Sequence, residues 1–192
     1  MVAARADNLN KPERPLLLPD SGQTRSWSRP RLGVLKINSD GAFSSMTGAG
    51  GWGYVIRDDQ GAVKKAGAGS EPFLQHAFHA ELLGCLEGLK MAAQLGMAHV
   101  VVETDAQMVM GAIEGEDYRL SSMGGIITEI KHLKAMEFSS CIFSYCPRIC
   151  NKLAHEFASL GCKLHGGVQT TWDVVPQSFE DLVPSELAVT GE

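Results

Sequence analysis

The 192-residue chain lacks any apolar run that approaches membrane-spanning length, and its start lacks the charged-then-apolar pattern of a secretion signal. Leu16-Leu17-Leu18 is short and bracketed by Pro15 and Pro19. These absences predict an intracellular protein, nuclear or cytoplasmic, without membrane contact. Paired C-x-x-C units are missing too. Cys141, Cys146 and Cys150 are spaced by five and four residues, unlike a zinc ribbon, so no zinc site is expected. The cysteine count of 5 is odd, and Cys85 falls inside a helical pattern, which predicts reduced thiols. Residues 164–192 contain no Lys or Arg at all, only five acids. Residues 34–163 carry eleven Lys/Arg against fourteen Asp/Glu, within a net charge of −5. Such a balance excludes a strong electrostatic binder of nucleic acid. Any phosphate contact must be local, helped by a metal or by the basic arm at residues 1–33.

What is present is ordinary for one globular domain with flanking arms: 44% hydrophobic and 20% charged residues. A monomer is expected. Residues 1–33, with Pro12, Pro15, Pro19 and Pro30, read as a flexible N-terminal arm whose end Trp27 pins to the domain. The domain itself is placed at 34–163. Residues 164–192 read as an acidic C-terminal tail lying on it, anchored by Trp172, Phe179 and Val183.

Within the domain, residues 34–39 alternate as a strand, with Leu35 and Ile37 on one face and Lys36, Asn38 and Asp40 on the other. Asp40 closes that strand and Gly41 releases the chain into a small-residue loop. Gly48 to Gly53 matches G-x-G-x-x-G literally. The dinucleotide reading fails, because that motif must open a helix, whereas Trp52 to Arg57 reads as a strand. A turn at Asp58-Asp59-Gln60-Gly61 and a returning strand from Ala62 to Gly69 complete an antiparallel meander. Residues 76–95 form a helix with Phe78, Leu82, Cys85, Leu89 and Ala93 as its stripe and Gly96 as its stop. The β-branched run His99 to Thr104 is a buried strand ending in Asp105. Helices are expected at 106–114, 121–137 and 149–162, with a short strand at 141–145 between the last two.

Three acids then share one architecture: Asp40 after the first strand, Glu81 on the first helix and Asp105 after the fourth strand. If the first and fourth strands pair in parallel, Asp40 and Asp105 lie side by side in the crevice where open α/β sheets hold their sites. Convergent carboxylates need compensation at neutral pH. A hard divalent cation supplies it: Mg²⁺, with Mn²⁺ as the alternative. Two such ions roughly 4 Å apart activate a water and stabilise a leaving oxygen in phosphodiester hydrolysis.

Ile37 to Phe43, His79-Ala80-Glu81, Glu103 to Gln107 and Arg148 to His155, in this order, resemble ribonuclease H type 1. The resemblance is nearest to the domain of plant proteins and plant non-LTR retrotransposons. It implies an α/β ribonuclease H-like fold: a five-stranded mixed sheet in order 3-2-1-4-5, its first three strands antiparallel, with helices on both faces. It also implies metal-dependent cleavage of the RNA strand of RNA–DNA hybrids. Asp40, Glu81 and Asp105 match the family's first three metal-binding acids. Gly41 and Gln107 match positions that touch the hybrid's minor groove, where the 2′-hydroxyls are displayed.

The resemblance also shows departures. His155 stands where the family has its fourth acid, four residues after Asn151, and a neutral imidazole brings no negative charge. His155 is therefore either a helix histidine bonded to Asp40 or Asp105, or a weak metal or water ligand that completes the catalytic set. Tyr145-Cys146-Pro147-Arg148 is too short for the family's His-bearing loop, and Glu114 to Ser122 replaces a basic helical extension. The alternative function is a catalytically weak or inactive nucleic-acid-binding module derived from a retroelement.

Overall fold

The computed structural model describes residues 26–116, 118 and 120–187. Residues 1–25 of the expected arm, Asp117 and Arg119 of the linker between helices, and residues 188–192 of the expected tail lie outside the described residues. The strands are β1 (Leu35–Phe43), β2 (Gly50–Arg57), β3 (Val63–Glu71), β4 (His99–Thr104), β5 (Ser140–Tyr145) and β6 (Gln169–Trp172). The helices are α1 (Ala77–Gln94), α2 (Gln107–Glu114), α3 (Gly124–Met136), α4 (Lys152–Gly161) and α5 (Leu182–Leu187). Single 3-10 turns occupy Arg148–Cys150 and Gln177–Phe179.

The strands form one mixed sheet in the order β5-β4-β1-β2-β3-β6. Five of them keep the expected 3-2-1-4-5 arrangement, and the expectation of five strands is corrected to six. The added β6 pairs antiparallel with β3, Ala66 opposite Trp172 and Gly69 opposite Gln169. Its Thr-Thr-Trp run has the propensity of a strand, and it closes the backbone edge that β3 would otherwise expose.

A second correction concerns Asp40. It does not close β1; the strand continues through Gly41, Ala42 and Phe43, paired with Trp52, Gly51 and Gly50. The glycines there are sites of close approach rather than loop markers. A Cβ on Gly41 would lie 2.3 Å from the Glu81 amide nitrogen of α1. A Cβ on Gly53 would lie 2.3 Å from the Ala158 nitrogen of α4. Each helix therefore touches the bare backbone of the sheet.

The two faces bury separate cores. α1, α2 and α3 cover Leu35, Ile37, Val100, Val102 and Phe143 with Leu82, Leu89, Val109 and Ile130. α4 covers Val55, Ala66 and Ala68 with Leu153 and Phe157, and Trp172, Phe179 and Val183 pack on the rim of that core. Beside α4, the face of β1 that alternation assigns to polar groups is also covered: Lys36, Asn38 and Asp40 are all buried. No helix among the described residues is long and apolar enough to cross a membrane.

Candidate metal centre and nucleic-acid site

β1 and β4 pair in parallel from Leu35 opposite Val100 to Asn38 opposite Glu103. Two residues further along each strand lie Asp40 and Asp105, at the carboxyl edge of the parallel pair. α1 reaches the same edge because Gly41 and Gly84 let its backbone settle on β1; a Cβ on Gly84 would be 2.8 Å from the Asp40 carbonyl oxygen. Glu81 is thereby aimed at the sheet, and the Gly41 amide donates to its carboxylate. Asp40, Glu81 and Asp105 each offer one oxygen, and these oxygens lie within 4.8 Å of one another.

The electrostatics of this cluster are strained. Burial, then the charges of Asp40 and Asp105, push the Glu81 carboxyl up to about 9. Burial also raises Asp40, to about 6, against the lowering effect of its hydrogen bond to His155. Glu81 Oε2 is buried with no hydrogen-bond partner, and so is Asn151 Oδ1. Buried acceptors without donors, beside like charges, call for a cation. An all-oxygen donor set of three carboxylates suits Mg²⁺ or Mn²⁺, so the residues present fit a hard divalent ion.

His155, on the first turns of α4, places Nδ1 2.7 Å from Asp40 Oδ2, with its own side chain 35% exposed. Of the two carboxylate partners open to it, the structure selects Asp40. The exposed Arg148 sets one guanidinium nitrogen 3.3 Å from His155 Nε2, so a cationic group borders the acids. Gly41 is half-buried beneath α1, and Gln107 is exposed at the first turn of α2.

Sequence reasoning overlooked two supports. Asn151, fully buried, donates from Nδ2 to the Ser39 carbonyl at 2.9 Å and to Asp105 Oδ1 at 3.3 Å. Its place in the Asn-x-x-Ala-His run was the available signal. The other support is a buried charged layer. Lys36 pairs with Glu103 at 2.7 Å, Asn38 donates to Glu103 at 3.0 Å, and Arg57 donates to Asn38 Oδ1 at 2.8 Å. Arg57 pairs with Glu186 of α5 at 2.6 Å, and its guanidinium lies 3.6 Å from the Trp27 ring centre. No local pattern pairs residues 57 and 186.

A family model described as reverse transcriptase-like matches residues 38–161. A search of the curated proteins finds no match. Among solved structures, the N-terminal RNase H domain of a Mycobacterium tuberculosis protein superposes with a TM-score of 0.63 at 22% identity, covering 68% of this chain and 94% of that one. RNase H1 of the halophilic archaeon Halobacterium salinarum gives 0.63 at 20% identity, over 68% of this chain and 98% of its own. LC11-RNase H1, solved in complex with an RNA/DNA hybrid, gives 0.62 at 19%, over 67% and 96%. The fold is thus ribonuclease H-like, and the chain belongs to the reverse transcriptase-like family whose model spans both ends of its carboxylate cluster.

Proposed function

We propose that the chain is a divalent-metal-dependent ribonuclease of H type 1, cleaving the RNA strand of RNA–DNA hybrids. The observation that carries the reading is the convergence of Asp40, Glu81 and Asp105 within 4.8 Å at the carboxyl edge of β1 and β4. The family match and the neighbour solved with a hybrid support it. We place the chain in the plant or non-LTR retrotransposon-like group, with which the Ala154-His155 pair is compatible.

In this reading Asp40, Glu81 and Asp105 would hold Mg²⁺ or Mn²⁺. The ion would supply charge for the phosphate and a water of lowered pKa. The chain's own residues do the rest. Asn151 holds the Asp105 carboxylate while anchored to the β1 backbone. The Gly41 amide orients Glu81. His155 holds a proton at Nδ1 against Asp40, and Arg148 presents a fixed positive charge beside it for a phosphate oxygen. Gly41 and Gln107 would meet the hybrid's minor groove, as the resemblance implies.

A labelled hybrid incubated with the full chain and Mg²⁺ or Mn²⁺ tests the reading. Cleavage of the RNA strand alone, abolished in Asp105→Asn, is the expected result. No cleavage by the parent, and none gained in His155→Asp, would sink it. One observation favours the second reading, a binding module without turnover: His155 occupies Asp40 Oδ2. That reading predicts hybrid binding that weakens with salt and survives Asp105→Asn.

A further inference from the structure

α4 begins without a cap of its own. Asn151 stands at its N-cap position, yet makes no side-chain bond to the helix. Its amide is turned to Ser39 and Asp105 instead. A helix N-terminus leaves up to four N–H groups without intrahelical acceptors, and a buried one needs an acceptor from elsewhere. The acceptor here comes from the far end of the chain. Glu186 Oε1 accepts from the Leu153 amide at 2.9 Å. Its other oxygen is held by Arg57 at 2.6 Å, and both side chains are 0% exposed. The Trp27 amide in turn donates to the Glu186 carbonyl at 2.9 Å.

We propose that Glu186 is a positioning residue for the carboxylate site: it caps α4 across the fold and fixes the turn that carries Asn151 and His155. Leu153 lies midway between those two residues. Glu186 acts on the helix through that amide and on β1 through Arg57 and Asn38. Two anchors thus define where α4 starts. Asn151 ties the turn to β1 and Asp105, and Glu186 ties it to β2. Without the carboxylate, the Leu153 N–H is buried without its acceptor, and the buried Arg57 guanidinium keeps Asn38 and Trp27 but loses its ion-pair partner. The relief open to the amide is for the first turn of α4 to move towards water. That movement takes His155 away from Asp40, and Arg148 with it. A carboxylate also complements the positive end of the α4 dipole, so the choice of an acid for this cap has a reason beyond its reach to Arg57.

The functional half of this inference rests on reading Asp40, Glu81, Asp105 and His155 as the working site. The structural half is tested without that reading. Full-length Glu186→Ala, Glu186→Asp and Glu186→Gln are compared by imidazole ¹⁵N NMR of His155, at a temperature where circular dichroism shows each variant folded. Asp40→Asn marks where the resonance lies once the charged acceptor is gone. Alanine removes the cap. Aspartate keeps the charge beside Arg57 but falls short of Leu153 by one methylene. Glutamine keeps the acceptor oxygen. The expected result is a His155 Nδ1 resonance displaced towards the Asp40→Asn position in Ala and Asp, and closest to the parent position in Gln, which keeps an acceptor for Leu153 while setting its NH2 against Arg57. Val175→Ala, a cavity in the core on the α4 face, lowers the melting temperature and leaves the resonance in place. Hybrid cleavage in the Asp variant is expected to lose about tenfold in kcat with KM within about twofold, the signature of misplacement rather than lost binding. An unmoved His155 signal in both Ala and Asp overturns the proposal and leaves a buried ion pair of structural value alone. If Ala fails to fold, Asp carries the comparison by itself. A parent chain that cleaves nothing, with none gained in His155→Asp, removes the ribonuclease reading but leaves the NMR result standing.

Discussion

Glu81 is the residue whose state depends most on what the site holds. Its carboxyl is pushed up to about 9 and that of Asp40 to about 6, both chiefly by burial. Raised carboxyl pKa values mean the folded chain binds protons that the unfolded chain has released. In EDTA, stability is therefore expected to fall as pH rises from about 4 towards 9, by on the order of a few kcal/mol. Added Mg²⁺ should restore it most at the alkaline end. Thermal melts at pH 5 and pH 8, with EDTA or Mg²⁺, check both signs; a Mg²⁺ effect equal at the two pH values contradicts them. Glu81→Gln removes a carboxyl that ionises in the unfolded chain but is held protonated by burial in the fold. It should raise the melting temperature in EDTA at pH 8 and shrink the response to Mg²⁺. Asp40, Glu81 and Asp105 were legible as a set because periodicity reads the strand that holds Asp40, the helix that holds Glu81 and the strand that Asp105 follows, although Asp40 lies inside β1 rather than at its end. The partner of His155 was legible only as one of two acids, because side-chain reach across α4 and β1 is set by packing.

At the scale of elements, α4 and α1 owe their positions to glycines in the strands they cover. Gly53→Ala places a methyl 2.3 Å from the Ala158 nitrogen and 2.5 Å from the Phe157 carbonyl carbon. The helix must move, at a cost of about 1–3 kcal/mol or more, measurable as a lower urea midpoint with unchanged slope. Gly48→Ala meets nothing within 4 Å, but Gly48 has φ +69°, so its penalty is conformational, about 1 kcal/mol. The same G-x-G-x-x-G run thus serves two purposes, a turn at its start and helix contacts at its end. Helix positions were legible from their stripes: Leu82, Leu89, Val109, Ile130 and Phe157 are all fully buried. The length of β1 was not, because Gly41 carries no sign in the sequence of whether it ends a strand or lies under a helix. The N-cap of α1 was unforeseen as well: the ring nitrogen of His76 accepts from the His79 amide at 3.3 Å.

At the scale of the molecule, residues 164–187 are part of the packed body. β6 extends the sheet, and Trp172 and Phe179 lie 5.4 Å and 5.2 Å from the Phe157 ring. Trp172→Ala is expected to cost about 2–4 kcal/mol, with β6 and the rest of the chain still unfolding in one transition. Separate transitions by fluorescence and circular dichroism would show a tail that melts alone. The charge balance makes a second prediction. With a net charge of −5 and Arg148 as the cation beside the acids, few phosphates can be neutralised. The slope of log affinity against log salt for a hybrid should be shallow, about −3 or less in magnitude. A steep slope would point to a basic surface elsewhere, the N-terminal arm first.

The sequence by itself determined the alternation of strands and helices and which three acids stand near one edge, while the order of the first five strands came from its resemblance to ribonuclease H. Alternation, helical periodicity and parallel crossover are local or topological rules, and they act before any side chain is packed. Tertiary structure decided which atoms meet: His155 on Asp40, Asn151 on Asp105, and Glu186 on Arg57 and the α4 amide. These contacts join residues separated by between 33 and 129 positions. Their partners are chosen by burial, which makes an unpaired charge or amide costly. No spacing in the chain encodes that choice.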